Sequence, residues 1–376
     1  MIATQARAFI AILRSHGARV AFVTPVPQTA ADPAADNAIW HAYLPVLRAE
    51  HVTILDIRPA LTDANGRRVE AETDCTGAPT LVRPPGDLHL TRYGASRSGT
   101  RLAAAIAALF GRTLHGAPAP GDHTTTLVAT ATGKGYWIVG CDGGVYAFGD
   151  ARHIMSPALP AGVHVVGAAR ASRGLWLVTS DGRVLSTGGA PALHFGAGVG
   201  APLVAAAGTA DRRGILATTA QGQVIAGGTA VAAGGAERVG APVVGIAANP
   251  AGAGYWLVGR NGTVVARGGA RSYGSAGPFS SAPVAGITAS TTGRGYLLVR
   301  VDGRVTALGD ARAAGNAPHP PLEPGTLSVL APTQPSVAIV HAPTRGYWIV
   351  DDNGAVRAFG GAPRLGGTGN LALFTP

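Results

Sequence analysis

Lysine is nearly missing from this chain: of its 30 basic residues Lys134 alone is lysine, and the others are arginine. Cysteine occurs twice, at Cys75 and Cys141, too few for a disulfide framework and in no CxxC spacing of a zinc site. Charged residues make up only 13% of the chain, but 47% of residues are hydrophobic, which excludes an intrinsically disordered polypeptide. No apolar run reaches the roughly 18 residues that a membrane-crossing helix needs, so the positive mean hydropathy does not signal a membrane span. The glycines follow no three-residue period, which excludes collagen.

The net charge of +10 invites a nucleic-acid reading. Residues 1–115 hold 12 basic and 9 acidic residues, and the remainder 18 and 11, but the arginines are scattered singly. No run forms a basic arm or a groove-reading helix, so no nucleic-acid partner is expected. On this reading the arginine excess reflects the codon usage of a GC-rich genome.

Glycine is abundant and uneven: 7 of the 55 lie in residues 1–115 and 48 beyond. The segment Gly116-Ala-Pro-Ala-Pro-Gly121 reads as a linker. The chain thus divides into residues 1–115, a Gly/Pro linker at 116–123, and residues 124–376.

The third part repeats. Gly135-Tyr-Trp, Gly174-Leu-Trp, Gly214-Ile-Leu, Gly254-Tyr-Trp, Gly295-Tyr-Leu and Gly346-Tyr-Trp are anchors spaced 39, 40, 40, 41 and 51 residues apart. Seven residues after each anchor glycine comes a turn residue followed by glycine, as in Asp142-Gly143 and Asn261-Gly262. A period of about 40 residues indicates repeat architecture. Apolar runs flank each turn pair, and the pair suits a tight hairpin with positive φ at both central positions. With an upstream β-branched run and a downstream segment such as Arg271–Ala276, four short strands per repeat are expected, the arithmetic of a propeller blade. Six blades follow, with a Pro-rich insertion at 319–325 and a closing strand over 370–375. A β-solenoid is the rival fold, with similar periods and no need for ring closure.

The string Gly135-Tyr-Trp-Ile-Val-Gly-Cys-Asp-Gly-Gly-Val-Tyr-Ala-Phe-Gly-Asp-Ala151 resembles a largely actinobacterial repeat family running GYWLVASDGGVFAFGDA. The resemblance implies a propeller-like module of exported or cell-envelope proteins and does not name a ligand; a carbohydrate or protein is the ligand expected for the propeller. The repeated Tyr-Trp is expected to pack between blades rather than to bind. Asp351-Asp-Asn-Gly354 lacks the alternating ligands and distal Glu of a calcium loop and reads as a hairpin turn with an extra acid.

Residues 1–115 alternate helix and strand: helices over 3–16, 32–50 and about 91–110, and strands over 18–24 and 52–57. That order predicts an α/β unit with two parallel strands and helices on the sheet faces. Two strands seldom stand alone, so the unit reads as truncated at its N-terminus. Met1 opens almost directly into a helix with no basic segment or cleavage site, which reads as no secretion signal and by itself is compatible with a cytoplasmic location.

Its chemical centre is Pro85-Gly-Asp87-Leu-His89-Leu-Thr-Arg-Tyr-Gly-Ala95. This block resembles the last motif of SGNH/GDSL ester hydrolases, DGxHLTxxGA, set between the final strand and final helix of a flavodoxin-like fold. The resemblance implies that His89 is the general base for a serine nucleophile and that Asp87 orients it, the logic of a catalytic triad. The family places its Asp three residues before the His, where Gly86 stands here. Its Gly-Asp-Ser nucleophile block and its Gly and Asn blocks are not found, and no serine sits in a Gly-x-Ser-x-Gly elbow. The expectation is therefore the C-terminal portion of an exported acyl- or acetyl-ester hydrolase, inactive as written, carrying a propeller. The alternative is a non-catalytic propeller that binds glycan or protein at the cell envelope. The remaining histidines form no ligand spacing, so no metal or cofactor is expected, and the sequence does not fix an oligomeric state.

Overall fold

The computed structural model describes residues 2–15, 20–23, 43–55, 71–73, 79–81, 124–157, 159–160, 163–196, 200–236, 239–276, 282–317 and 335–368. The chain divides into two compact units, Met1–Gly121 and Asp122–Pro376.

In the first unit, helix α1 (Ile2–Ser15) precedes strand β1 (Ala21–Val23), and a helix α2 over residues 43–49 precedes β2 (Thr53–Leu55). The two strands pair in parallel, with Ala21, Phe22 and Val23 opposite Thr53, Ile54 and Leu55. Ile10 of α1, Leu47 of α2 and Val52 form a small core, against which Phe22 and Tyr43 stack at 5.9 Å. The end of α2 is well defined. His51 takes a left-handed φ of 49°, and the Val52 amide reaches back to the Leu47 carbonyl at 2.8 Å. That geometry closes the orphan carbonyls of the last turn and seats Val52 on Leu47, as in a Schellman cap. One element was not foreseen: β3 (Ala71–Thr73) and β4 (Pro79–Leu81) form a short antiparallel ladder. The segments 32–42 and 91–110, expected as helix, lie outside the described residues, as does the linker.

The second unit consists of six small antiparallel sheets of three strands each, in chain order. The first holds Thr124–Ala129, Gly135–Gly140 and Val145–Gly149; the second Val165–Arg170, Leu175–Thr179 and Val184–Thr187. The third holds Leu203–Gly208, Gly214–Thr219 and Val224–Gly228; the fourth Val243–Ala248, Tyr255–Gly259 and Val264–Arg267. Val284–Ala289, Gly295–Arg300 and Val305–Gly309 make the fifth, and Ser336–His341, Tyr347–Asp351 and Val356–Phe359 the sixth. Every residue of every middle strand is buried. A strand covered on both faces is apolar along most of its length rather than alternating, which is why these strands read Tyr-Trp-Ile-Val or Tyr-Leu-Leu-Val, with polar residues such as Thr219, Arg300 and Asp351 only at the turn-bearing end.

The sheets follow one another cyclically. The leading amide of each first strand donates to the carbonyl six residues past the preceding anchor: Val165 to Cys141 (2.8 Å), Leu203 to Ser180 (2.9 Å) and Val243 to Ala220 (2.8 Å). Val284 to Arg260 and Ser336 to Val301, both 3.0 Å, continue the series. Thr124 completes it by donating to Asp352 of the sixth sheet at 2.7 Å. Tyr136 and Ile138 of the first sheet share a core with Trp348 and Val350 of the sixth. The closing strand expected over 370–375 lies outside the described residues, and the cycle closes without it. An all-β unit of this kind is compatible with a propeller.

Two expectations are corrected. Among the described residues each repeat has three strands rather than the four expected: Arg271–Ala276 carries no regular structure. Its contacts explain why. In the first, fourth and fifth repeats the first amide of the third strand, which a fourth strand would have paired, is met by a side-chain oxygen: Val145 donates to Ser156 Oγ, Val264 to Ser275 Oγ and Val305 to Asn316 Oδ1, at 2.8–3.0 Å. The hairpin turns also differ. All six turn glycines have positive φ, between 77° and 89°, but the residue before each does not. In the first sheet, Gly143 N donates to Gly140 O and Gly140 N to Gly144 O, so the loop has three residues. Such loops pair a type I turn with one left-handed residue, so a single glycine suffices. Asp142, Asn261, Asp302 and Asn353 complete the turn by accepting the amide two residues on, at 2.8–3.1 Å.

Candidate functional site

His89 and Asp87, the expected base and its orienting acid, lie outside the described residues. The second unit offers two faces, each made of one end of the six sheets. The in-register pairs Thr124↔Gly140 and Ala129↔Tyr136 put the hairpin turns and the starts of the first strands at one end. The anchor loops and the ends of the third strands, as in Gly135↔Gly149, lie at the other. Because each of the six bonds from a leading first-strand amide joins turn-bearing ends, all six turns share one face and all six anchor loops the opposite one.

The anchor aromatics are structural. Trp176, Trp256 and Trp348 are at most 1% exposed. Trp137, Trp176, Trp256 and Trp348 donate Nε1–H to the carbonyls of Arg152, Pro191, Arg271 and Pro363 at 2.7–2.9 Å, always 15 residues ahead. Each indole thereby pins the segment leaving its own sheet. The tyrosines one position earlier work between sheets. Tyr255 and Tyr347 donate to Gly234 and Gly315 of the preceding repeat at 2.5 Å, and Tyr296 donates to Gly274. Tyr136 donates to Gly366 of the sixth repeat, a second tie across the junction between the last and first sheets. Burial of the Tyr136, Tyr296 and Tyr347 rings holds their hydroxyls above the usual phenolic range. With rings buried and polar atoms already bonded, these residues have nothing to offer a ligand.

On the anchor-loop face, the odd-numbered sheets carry an acid–hydroxyl cluster. Asp150 accepts from Thr130 at 2.8 Å and Thr132 at 2.5 Å, and Asp310 accepts from Ser290 and Thr292 at the same distances. In the third sheet acid and hydroxyl have exchanged places. Asp211 stands where the second hydroxyl stood and accepts from Thr209 at 2.5 Å and Thr229 at 2.8 Å. The Thr132, Thr209 and Thr292 hydroxyls, with weaker help from Lys134, Arg213 and Arg294 in turn, hold the three carboxyls below the usual carboxylate range. The even-numbered sheets place Gly189, Gly269 and Gly361 at the acid's position, and in the second and sixth the stems of Arg173 and Arg345 lie over that glycine.

On the turn face, Asp351 is 1% exposed and is held by Arg357 at 2.9 Å and Ser336 Oγ at 2.9 Å. Arg357 also reaches the Ala317 carbonyl of the fifth repeat. Arg183 and Arg304 pair with Asp181 and Asp302. Among the described residues no cluster of three or more His, Cys, Asp or Glu could hold a metal.

Clefts open among the described residues of this unit. One of about 410 Å³ lies on the anchor-loop face between the third and fourth sheets, lined by Thr209, Asp211, Thr229, Val231, Asn249 and Tyr255. A second, of about 580 Å³, runs beside the third strand of the sixth sheet, with Arg357, Phe359 and Arg364 among its walls. No protein-family model matches the chain, and no curated protein is significantly similar to it. No described helix is long and apolar enough to cross a membrane.

Proposed function

We propose that residues 124–376 form a six-bladed β-propeller that serves as a binding module for a glycan or protein of the cell envelope. The observation that carries this is the return of the sixth sheet to the first, through Thr124 to Asp352 and Tyr136 to Gly366. A solenoid has no reason to make such a contact, whereas a propeller requires it. A closed ring of this kind is a rigid support for two loop faces, and loops on rigid scaffolds are where binding residues gather. The test is co-sedimentation of the full chain with insoluble envelope material from a Gram-positive, GC-rich bacterium. Saturable retention is expected, with dextran beads as the negative control. A chain left wholly in the supernatant contradicts the proposal.

For the first unit we propose SGNH hydrolase ancestry, with His89 and Asp87 in the places of base and orienting acid. The parallel pairing of β1 and β2, with α2 ahead of β2, supports this reading, because that family's sheet is parallel. Hydrolysis of p-nitrophenyl acetate by the full chain is expected to be no faster than the uncatalysed reaction. A rate abolished by His89→Ala would instead make the chain an enzyme.

A further inference from the structure

The arginines that look scattered along the sequence are not scattered on the second unit. Five of the six repeats carry a cation immediately before the anchor glycine: Lys134, Arg173, Arg213, Arg294 and Arg345. All five are exposed, and Arg212 stands beside them. A second set recurs in the segment that leaves the third strand, at Arg152, Arg271, Arg312 and Arg364. Their side chains are exposed too. The backbone carbonyls of Arg152 and Arg271 face inward to receive the indole N–H of Trp137 and Trp256. Both positions belong to the anchor-loop end of the sheet.

This face therefore gathers ten exposed cations against three exposed carboxylates, Asp150, Asp211 and Asp310. Those three already accept from hydroxyls, and among the described residues no ion pair joins any of the ten cations to a carboxylate. The turn face is balanced: Arg183, Arg260, Arg300, Arg304 and Arg357 stand against Asp142, Asp181, Asp302, Asp351 and Asp352. At the inner rim, Arg170 Nη1 is buried without a hydrogen-bond partner, beside Arg212. A field of one sign on one face, at spacings set by the repeat, is an arrangement for a polymer of the opposite sign.

We infer that the anchor-loop face binds an anionic polysaccharide, with the cations engaging carboxylate or phosphate groups along the chain. Arginine suits this role because its planar fork meets such groups with two parallel hydrogen bonds. The fourth repeat has Ala253 in place of the cation, and there the 410 Å³ cleft opens, lined by hydroxyls and the Asn249 amide that suit sugar hydroxyls. Among the described residues of this unit no Phe, Tyr or Trp ring is exposed for base stacking, and the face offers no helix or ribbon to enter a groove, which argues against nucleic acid.

The inference rests on the binding-module reading and names its ligand class. Titration calorimetry of the full chain with polygalacturonate tests it, with dextran, duplex DNA and phosphatidylserine vesicles in parallel. Binding of polygalacturonate in preference to the other three is expected, falling about tenfold from low to high salt as screening predicts. The combined variant R173E/R294E/R345E should lose about tenfold or more in affinity. R173Q/R294Q/R345Q should lose less, and Arg260→Glu on the turn face should change nothing. No binding of polygalacturonate, equal loss with Arg260→Glu, or tighter binding of DNA or vesicles overturns the inference. Envelope sedimentation that persists in high salt and in the charge-reversed variant would overturn the anionic class while leaving the binding module standing.

Discussion

The amide of Thr124, which opens the first sheet, donates to the carbonyl of Asp352 in the last sheet at 2.7 Å. Five equivalent bonds join sheets that are neighbours in sequence, and this sixth bond joins the last sheet to the first, as the proposed ring requires. In four of the repeats an indole holds the sheet to its own outgoing segment, and in four a tyrosine hydroxyl holds it to the repeat before.

Removal of a tyrosine hydroxyl should measure the tie between sheets. Tyr136→Phe leaves the ring contact with Trp348, at 5.2 Å between centroids, and removes only the donor to Gly366. A loss of about 1 kcal/mol in urea unfolding is expected, with a similar loss for Tyr296→Phe. In a closed ring the junction between the sixth and first sheets costs as much to weaken as an internal one. No loss for Tyr136→Phe beside a clear loss for Tyr296→Phe would mean that the junction is open.

The turn glycines predict a sharp contrast. A Cβ on Gly303, at φ 78°, would stand 1.8 Å from the Ala317 carbonyl oxygen. Gly303→Ala should therefore cost more than about 1 kcal/mol. Gly252→Ala, where a Cβ would meet nothing within 4 Å, should be neutral or mildly stabilising in the same thermal melts.

The exchanged acid and hydroxyl of the third sheet predict a rescue. Asp211→Thr alone leaves hydroxyls without their acceptor, and Thr229→Asp alone sets a second carboxylate beside Asp211. Each should lower the melting temperature. The double variant D211T/T229D rebuilds the arrangement of the first and fifth sheets, and should melt close to the parent chain.

Acid and base should act on different groups. The carboxyls of Asp150, Asp211 and Asp310 are lowered in the folded state, so the stability they contribute is complete above the ordinary carboxylate value, about 4. It is lost as the pH falls below that value and through the lowered ones. The hydroxyls of Tyr136, Tyr296 and Tyr347 are raised by burial, so their contribution is complete below about pH 10 and is lost as the pH climbs beyond it. Melting temperatures across pH should show both limbs. Asp150→Asn with Asp310→Asn should flatten only the acid one.

Part of this was legible in the sequence for physical reasons. A buried middle strand is apolar along most of its length and a left-handed turn position needs glycine, so Gly-Tyr-Trp and Asp-Gly recur visibly and give the repeat, the hairpin and the number of sheets. That the described residues hold no fourth strand was not legible, because in three repeats Ser156, Ser275 and Asn316 replace a ladder hydrogen bond by single side chains that no strand pattern encodes. Nor was the ladder of Ala71–Thr73 with Pro79–Leu81, whose Ala-Glu-Thr and Pro-Thr-Leu hardly favour a strand. The basic face escaped a search for charge runs because a whole hairpin separates Lys134 from Arg152 in the chain, and only that hairpin brings them to one sheet end. Arginine usage taken as codon bias therefore has a register. The resemblance at His89 and Asp87 remains a matter of sequence.

Hydrogen exchange of the six sheet-joining amides tests the closed ring most directly. Thr124 should exchange as slowly as Val165, Leu203, Val243, Val284 and Ser336, all opening together in one cooperative unit. Exchange of Thr124 by local fraying, orders of magnitude faster than the other five, would contradict a closed ring.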